Sequence, residues 1–112
     1  MESISLDSLA DEQLAQAQQH HSGRSAHTIY GGAKYHLRQT MVALCEGQEL
    51  AEHDSPGEAT LQVLRGRVRL TAGEDAWEGA AGDYLPIPPT RHALAALQDA
   101  VVVLTVAKTV SH

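Results

Sequence analysis

Between Gly47 and Leu70 the chain alternates apolar and polar positions with the period of a strand. Leu61 and Val63 share one face, and Val68 and Leu70 continue it beyond Gly66. Arg65, Arg67 and Arg69 occupy positions between them. A period of two buries one face and leaves the other in water. The stretch predicts three strands: one ending near Ser55, a break at Pro56-Gly57, and a hairpin closed at Arg65-Gly66 with Gly66 at positive φ.

The flanking segments extend the pattern. Residues 1–20 read as a helix, with Ser8 and Asp11 as a capping box and Leu9, Ala10, Leu14 and Ala17 along one face. That stripe is short, so the helix is expected to pack on a sheet and cover its edge. Residues 20–34 form a mixed linker with a short strand at His27–Tyr30 and a turn at Gly31-Gly32. His20 and His21 are adjacent, project in different directions and read as solvated.

In residues 35–45, Tyr35, Leu37, Gln39, Met41 and Ala43 share one parity. Facing inward, that parity places Gln39 and Met41 in a cavity. The other parity puts His36 and Arg38 inside, with Val42 and Leu44 in its favour, and periodicity leaves both open. Beyond Leu70 come a turn at residues 72–75, a strand around Trp77 read as a packing anchor, and a proline-bearing strand, Tyr84 to Ile87, suited to an edge. Strands over 91–97 and 100–107 complete the set. About eight or nine short strands with turns between them predict an all-β sandwich or jelly roll.

Composition narrows the function classes. The chain has 112 residues, a single-domain length, and is 43% apolar, so it is expected to fold around a core. Its formal charge of −6 argues against nucleic acid or an anionic membrane as partner. Cys45 is the single cysteine, which excludes an intrachain disulfide. No basic, apolar and small-residue progression opens the chain, and the longest apolar run, Val101 to Ala107, has strand length. The expected setting is cytoplasmic.

Two stretches resemble the motifs of the cupins. The first cupin motif, G(X)5HXH(X)3,4E(X)6G, matches at Gly47, His53 and Gly66, with Ser55 at the second histidine and Ala59 at the glutamate. The second, G(X)5PXG(X)2H, is similar to GDYLPIPPTRH: Gly82 and Pro88 match, Thr90 replaces the glycine, and His92 arrives one residue early. The resemblance covers roughly residues 35–107. It implies a double-stranded β-helix, the jelly-roll barrel, over residues 35–112, with residues 1–34 appended as helix and linker strand. It also implies a homodimer, paired through sheet faces or by exchange of the His27–Tyr30 strand.

In that topology His53 and His92 face each other across the interior and are the positions that ligate metal in active members. Two imidazoles fall short of the three protein ligands usual for a catalytic zinc. With the carboxylate position taken by Ala59, the ions expected are Zn, Ni or Cu, not harder cations. The leading expectation is a small organic ligand inside the barrel, contacting Gln39, Met41 and Ser55 near His53 and His92. One rival is a metal-dependent enzyme of the dioxygenase or isomerase type using His53 and His92. The other is a regulatory or interaction scaffold. Neither a nucleophile with its base nor a phosphate-binding glycine loop stands out.

Overall fold

A computed structural model describes residues 1–53 and 57–108, with Glu52 and His53 described as backbone only. Among the described residues, one helix, α1 (Leu6–Gln19), precedes nine strands. They are β1 (Arg24–Tyr30), β2 (Leu37–Leu44), β3 (Glu49–His53), β4 (Glu58–Arg65), β5 (Arg67–Ala72), β6 (Asp75–Ala80), β7 (Tyr84–Pro86), β8 (His92–Ala96) and β9 (Ala100–Ala107). Two antiparallel sheets result, ordered β1-β2-β9-β4-β7 and β3-β8-β5-β6. The all-β reading with a short N-terminal helix holds. Among the described residues, no helix is long and apolar enough to cross a membrane.

The main core lies between the sheets. Val42, Leu44, Leu61, Val63, Val68, Leu70, Leu94, Ala100 and Val102 meet there, each almost fully buried. Leu61 and Val63 share this core with Val68 and Leu70, as their alternation predicts. Trp77 packs against the same cluster, in keeping with an anchoring role. Pro86 is tolerated because β7 pairs with β4 alone and forms a sheet edge.

The hairpin expected at Arg65-Gly66 is absent, because β4 and β5 belong to different sheets. Gly66 is instead a corner where the chain crosses between layers. Its φ is +72°, the positive value expected. Neighbouring turns clamp the corner: Ala81 N–H donates to the Gly66 carbonyl at 3.1 Å, and Leu97 N–H to that of Arg67 at 2.9 Å. A two-stranded hairpin and a sheet-to-sheet corner have the same local alternation, so sequence pattern does not separate them.

A second core lies outside the barrel. Helix α1 lays Leu9, Ala10 and Ala17 on Met41, Ala43, Val101 and Val103. The helix therefore covers a sheet face, not the edge expected. Its cap is also one turn earlier: Ser5 is the N-cap, and its hydroxyl accepts from Ser8 N–H at 3.2 Å. Gln13 is buried on the packed side, where its carbonyl and amide oxygens lie 2.7 and 2.8 Å from Ser25 Oγ. That polar contact fixes the helix against β1. Ion pairs from Arg65 to Asp7 (3.3 Å) and Asp11 (3.5 Å) add a weaker surface tie.

Candidate functional site

Five strands and the segment after β7 line a cavity of about 90 Å3 between the sheets. Leu50 of β3, Ala59 of β4, Leu70 of β5, Leu94 of β8, and Leu104 and Val106 of β9 supply most of the wall, with Ile87 closing it. Each sits on the inward parity of its strand. His92 is the one polar side chain in this lining.

His92 opens β8 and is 4% exposed. Its Nδ1 lies 2.8 Å from the Thr90 carbonyl oxygen. A carbonyl only accepts, so in that contact Nδ1 is the donor. The segment Pro88-Pro89-Thr90 leads directly into the strand, and the Thr90 carbonyl orients the ring. Metal-binding histidines are oriented in the same way by a backbone carbonyl on the second nitrogen.

β3 pairs with β8, and His53 stands opposite His92 in that register. The structure thus brings the backbones of both predicted histidines together as cross-strand neighbours in one sheet, not facing each other across the interior as expected. Ser55 lies outside the described residues. Ala59, which occupies the carboxylate position of the motif, is buried in the cavity wall and offers hydrocarbon only.

The inward parity of β2 is the second of the two left open. Val42 and Leu44 point into the barrel, while Met41 packs beneath α1. Met41 therefore does not line the cavity. Gln39 shares Met41's parity and donates from Nε2 to Thr105 Oγ1 at 3.2 Å, away from the cavity lining. Sequence reasoning placed His92 in the interior, where it does line the cavity, but missed Leu50, Leu94, Leu104 and Val106. The signal was the alternation of Leu104 and Val106 within an apolar run that hides its own period.

The donor chemistry does not complete a metal centre from the described residues. Among them, no three histidine, cysteine, aspartate or glutamate side chains converge. One imidazole in a hydrocarbon wall falls short of a catalytic coordination set.

Comparison with solved structures places the architecture. A conserved protein of unknown function from Streptococcus pyogenes matches with a TM-score of 0.75 and 24% identity, covering 99% of this chain and 92% of that one. An RmlC-like cupin from Desulfovibrio desulfuricans matches at a TM-score of 0.65 and 22% identity, over 96% and 91% of the two chains. The fold is that of the cupins. A mutant salicylate 1,2-dioxygenase from Pseudoaminobacter salicylatoxidans, in complex with gentisate, superposes with a TM-score of 0.78 at 17% identity. That match covers 93% of this chain and 33% of the dioxygenase, so the likeness is to one part of that enzyme. No protein-family model matches the chain, and no curated protein does. Relatives of such different kinds mean that the cupin architecture leaves the activity to be argued from the site.

Proposed function

We propose that this cupin binds a small, largely apolar organic molecule in the barrel interior, oriented by the His92 imidazole. The observation that carries the reading is the cavity lining: seven hydrocarbon side chains and one histidine. Apolar walls with a single polar group are the usual composition of a small-molecule pocket. Size restricts the ligand. At about 90 Å3 the cavity is smaller than the ~150 Å3 engineered cavity that accepts benzene, so the bound portion has only a handful of non-hydrogen atoms.

The imidazole gives this pocket its selectivity. A ligand able to hydrogen-bond with the His92 imidazole would be preferred over a hydrocarbon of the same shape. Inside a low-dielectric wall, one unmade hydrogen bond costs about 1–3 kcal/mol. The test is a thermal-shift and NMR screen with small alcohols and azoles, repeated on His92→Leu. Saturable binding that raises Tm in the parent and weakens about tenfold in the variant supports the reading. Binding that His92→Leu leaves unchanged refutes it.

The rival reading, a metal-dependent enzyme, draws support from the Thr90-oriented ring of His92 and the register pairing with His53. Zinc, nickel and copper analysis of protein purified without chelator separates the two readings. Stoichiometric metal lost in His92→Leu favours the enzyme.

A further inference from the structure

Outside the barrel cavity, the turn between β1 and β2 carries a second recess with different chemistry. Thr28, Gly31, Gly32, Ala33, Arg38 and Lys108 line a volume of about 210 Å3. Both charged residues in that lining are cations, on a chain whose formal charge is −6. With eight lysines and arginines against fourteen carboxylates in the sequence, two cations sharing one recess are a local reversal of sign.

Arg38 is held at the recess by the β2–β9 register, which sets it opposite Val106. Arg65 and Arg69 are answered by carboxylates at 3.3 and 3.4 Å. Arg38 makes neither an ion pair nor a side-chain hydrogen bond among the described residues. Lys108 is positioned from two sides. Its backbone N–H donates to the His36 carbonyl at 2.8 Å, and its Nζ donates to the Gly32 carbonyl at 2.8 Å. An ammonium has three N–H groups, so that bond leaves two for a ligand.

The turn adds backbone donors. The N–H groups of Gly31, Gly32 and Ala33 make no hydrogen bond among the described residues. Gly31 has φ of +119°, and a Cβ there would stand 2.8 Å from the Leu37 carbonyl oxygen. The turn thus requires glycine where the chain folds back against β2. Successive backbone N–H groups at a turn form the concavities that receive anions.

We propose that this recess binds a small oxyanion of the phosphate class. A guanidinium fork, an ammonium and turn N–H groups offer donors of three kinds, which suits a tetrahedral dianion better than a planar carboxylate. The volume lies below the ~300 Å3 at which drug-sized pockets begin, so the ligand is a phosphate group with little attached. The site shares no lining residue with the barrel cavity and stands apart from the function assigned there.

The test is a titration of 15N-labelled protein with inorganic phosphate, with chloride at matched ionic strength as control. Saturable amide shifts centred on Gly31, Gly32, Ala33 and Arg38 are expected. Arg38→Gln should weaken binding about tenfold or more, the loss of a charge-assisted pair, while shifts in β4 and β5 stay fixed. Should that variant disturb the fold, Lys108→Gln supplies the same readout. Shifts that chloride reproduces, that fail to saturate, or that survive both substitutions overturn the proposal. Acetate binding as tightly as phosphate overturns the assignment of anion class.

Discussion

Substituting Gly66 tests the sheet-to-sheet corner, and two effects add there. The first is conformational: alanine at φ of +72° costs about 1–2 kcal/mol. Against this, alanine narrows the unfolded ensemble and returns about 0.4–1 kcal/mol. The second effect is steric. A Cβ on Gly66 would collide with the Asp99 carbonyl oxygen and stand 2.9 Å from the carbonyl carbon and 3.0 Å from Ala100 Cα. These are backbone atoms, and the Asp99 turn is anchored. Its carboxylate accepts from Glu46 N–H at 2.8 Å and from Gln18 Nε2 at 3.1 Å. Forcing the turn aside should cost a further ~1–3 kcal/mol, the usual scale of overpacking. Gly73 is the internal control, because its φ is +61° but a Cβ there meets nothing within 4 Å. Gly73→Ala should therefore lose only about 0.5–1 kcal/mol and Gly66→Ala about 2–3 kcal/mol. Urea denaturation of both variants measures the difference directly. If they fall within about 0.5 kcal/mol of each other, the corner is not clamped by the Asp99 turn and the reasoning fails.

The same turn predicts a pH dependence. Donation from Glu46 N–H, then from Gln18, holds the Asp99 carboxyl below its ordinary value, with partial burial opposing them. A depressed folded-state pKa means stability that is present above the unfolded value and lost as pH falls through the folded one. Asp99→Asn should melt below the parent at neutral pH, with the gap closing in acid; a gap that persists in acid would contradict this. Ala59→Glu, placing a carboxylate in the apolar cavity wall, should cost about 2–4 kcal/mol without metal and recover on adding zinc, read as Tm with and without the ion. The free edge of β1, seven residues without proline, should pair with a second copy of the chain. Sedimentation should show a dimer that Ala26→Pro dissociates, and a monomer in the parent at micromolar concentration would rule it out.

Most strands were legible because turn residues punctuate them. Gly73, Gly82 and the Gln98-Asp99 pair each end a run, and β9 matches its expected span from Ala100 to Ala107. The helix was legible as well, but its cap was not. Ser5 and Ser8 both precede apolar residues at helical spacing, and the chain selects the one whose hydroxyl reaches a free N–H. Sheet membership was harder. Nothing local distinguishes Gly66 from the apex of a hairpin, since the decision rests on partners such as Val102 and Ala96, which lie about thirty residues away or more.

The cavity lining was the least legible part, and β2 shows why. Alternation reveals an inner face only where the opposite face meets water. Along β2 the outer face meets α1, so Met41, Val42, Ala43 and Leu44 are all buried and the period disappears. The same holds for Val101, Val102 and Val103 on the paired strand. Farther along β2 the helix no longer covers the sheet, and the strand turns polar at Arg38, Gln39 and Thr40. There the two parities separate again: Gln39 bonds Thr105, while Arg38 turns to the recess beside Lys108. The apolar half of β2 thus records how many layers the sheet supports, and its polar half lies where the strand is more exposed. That division explains why placing Gln39 and Met41 in the cavity failed together. Both follow from one parity, and the helix had removed the contrast that would have excluded it.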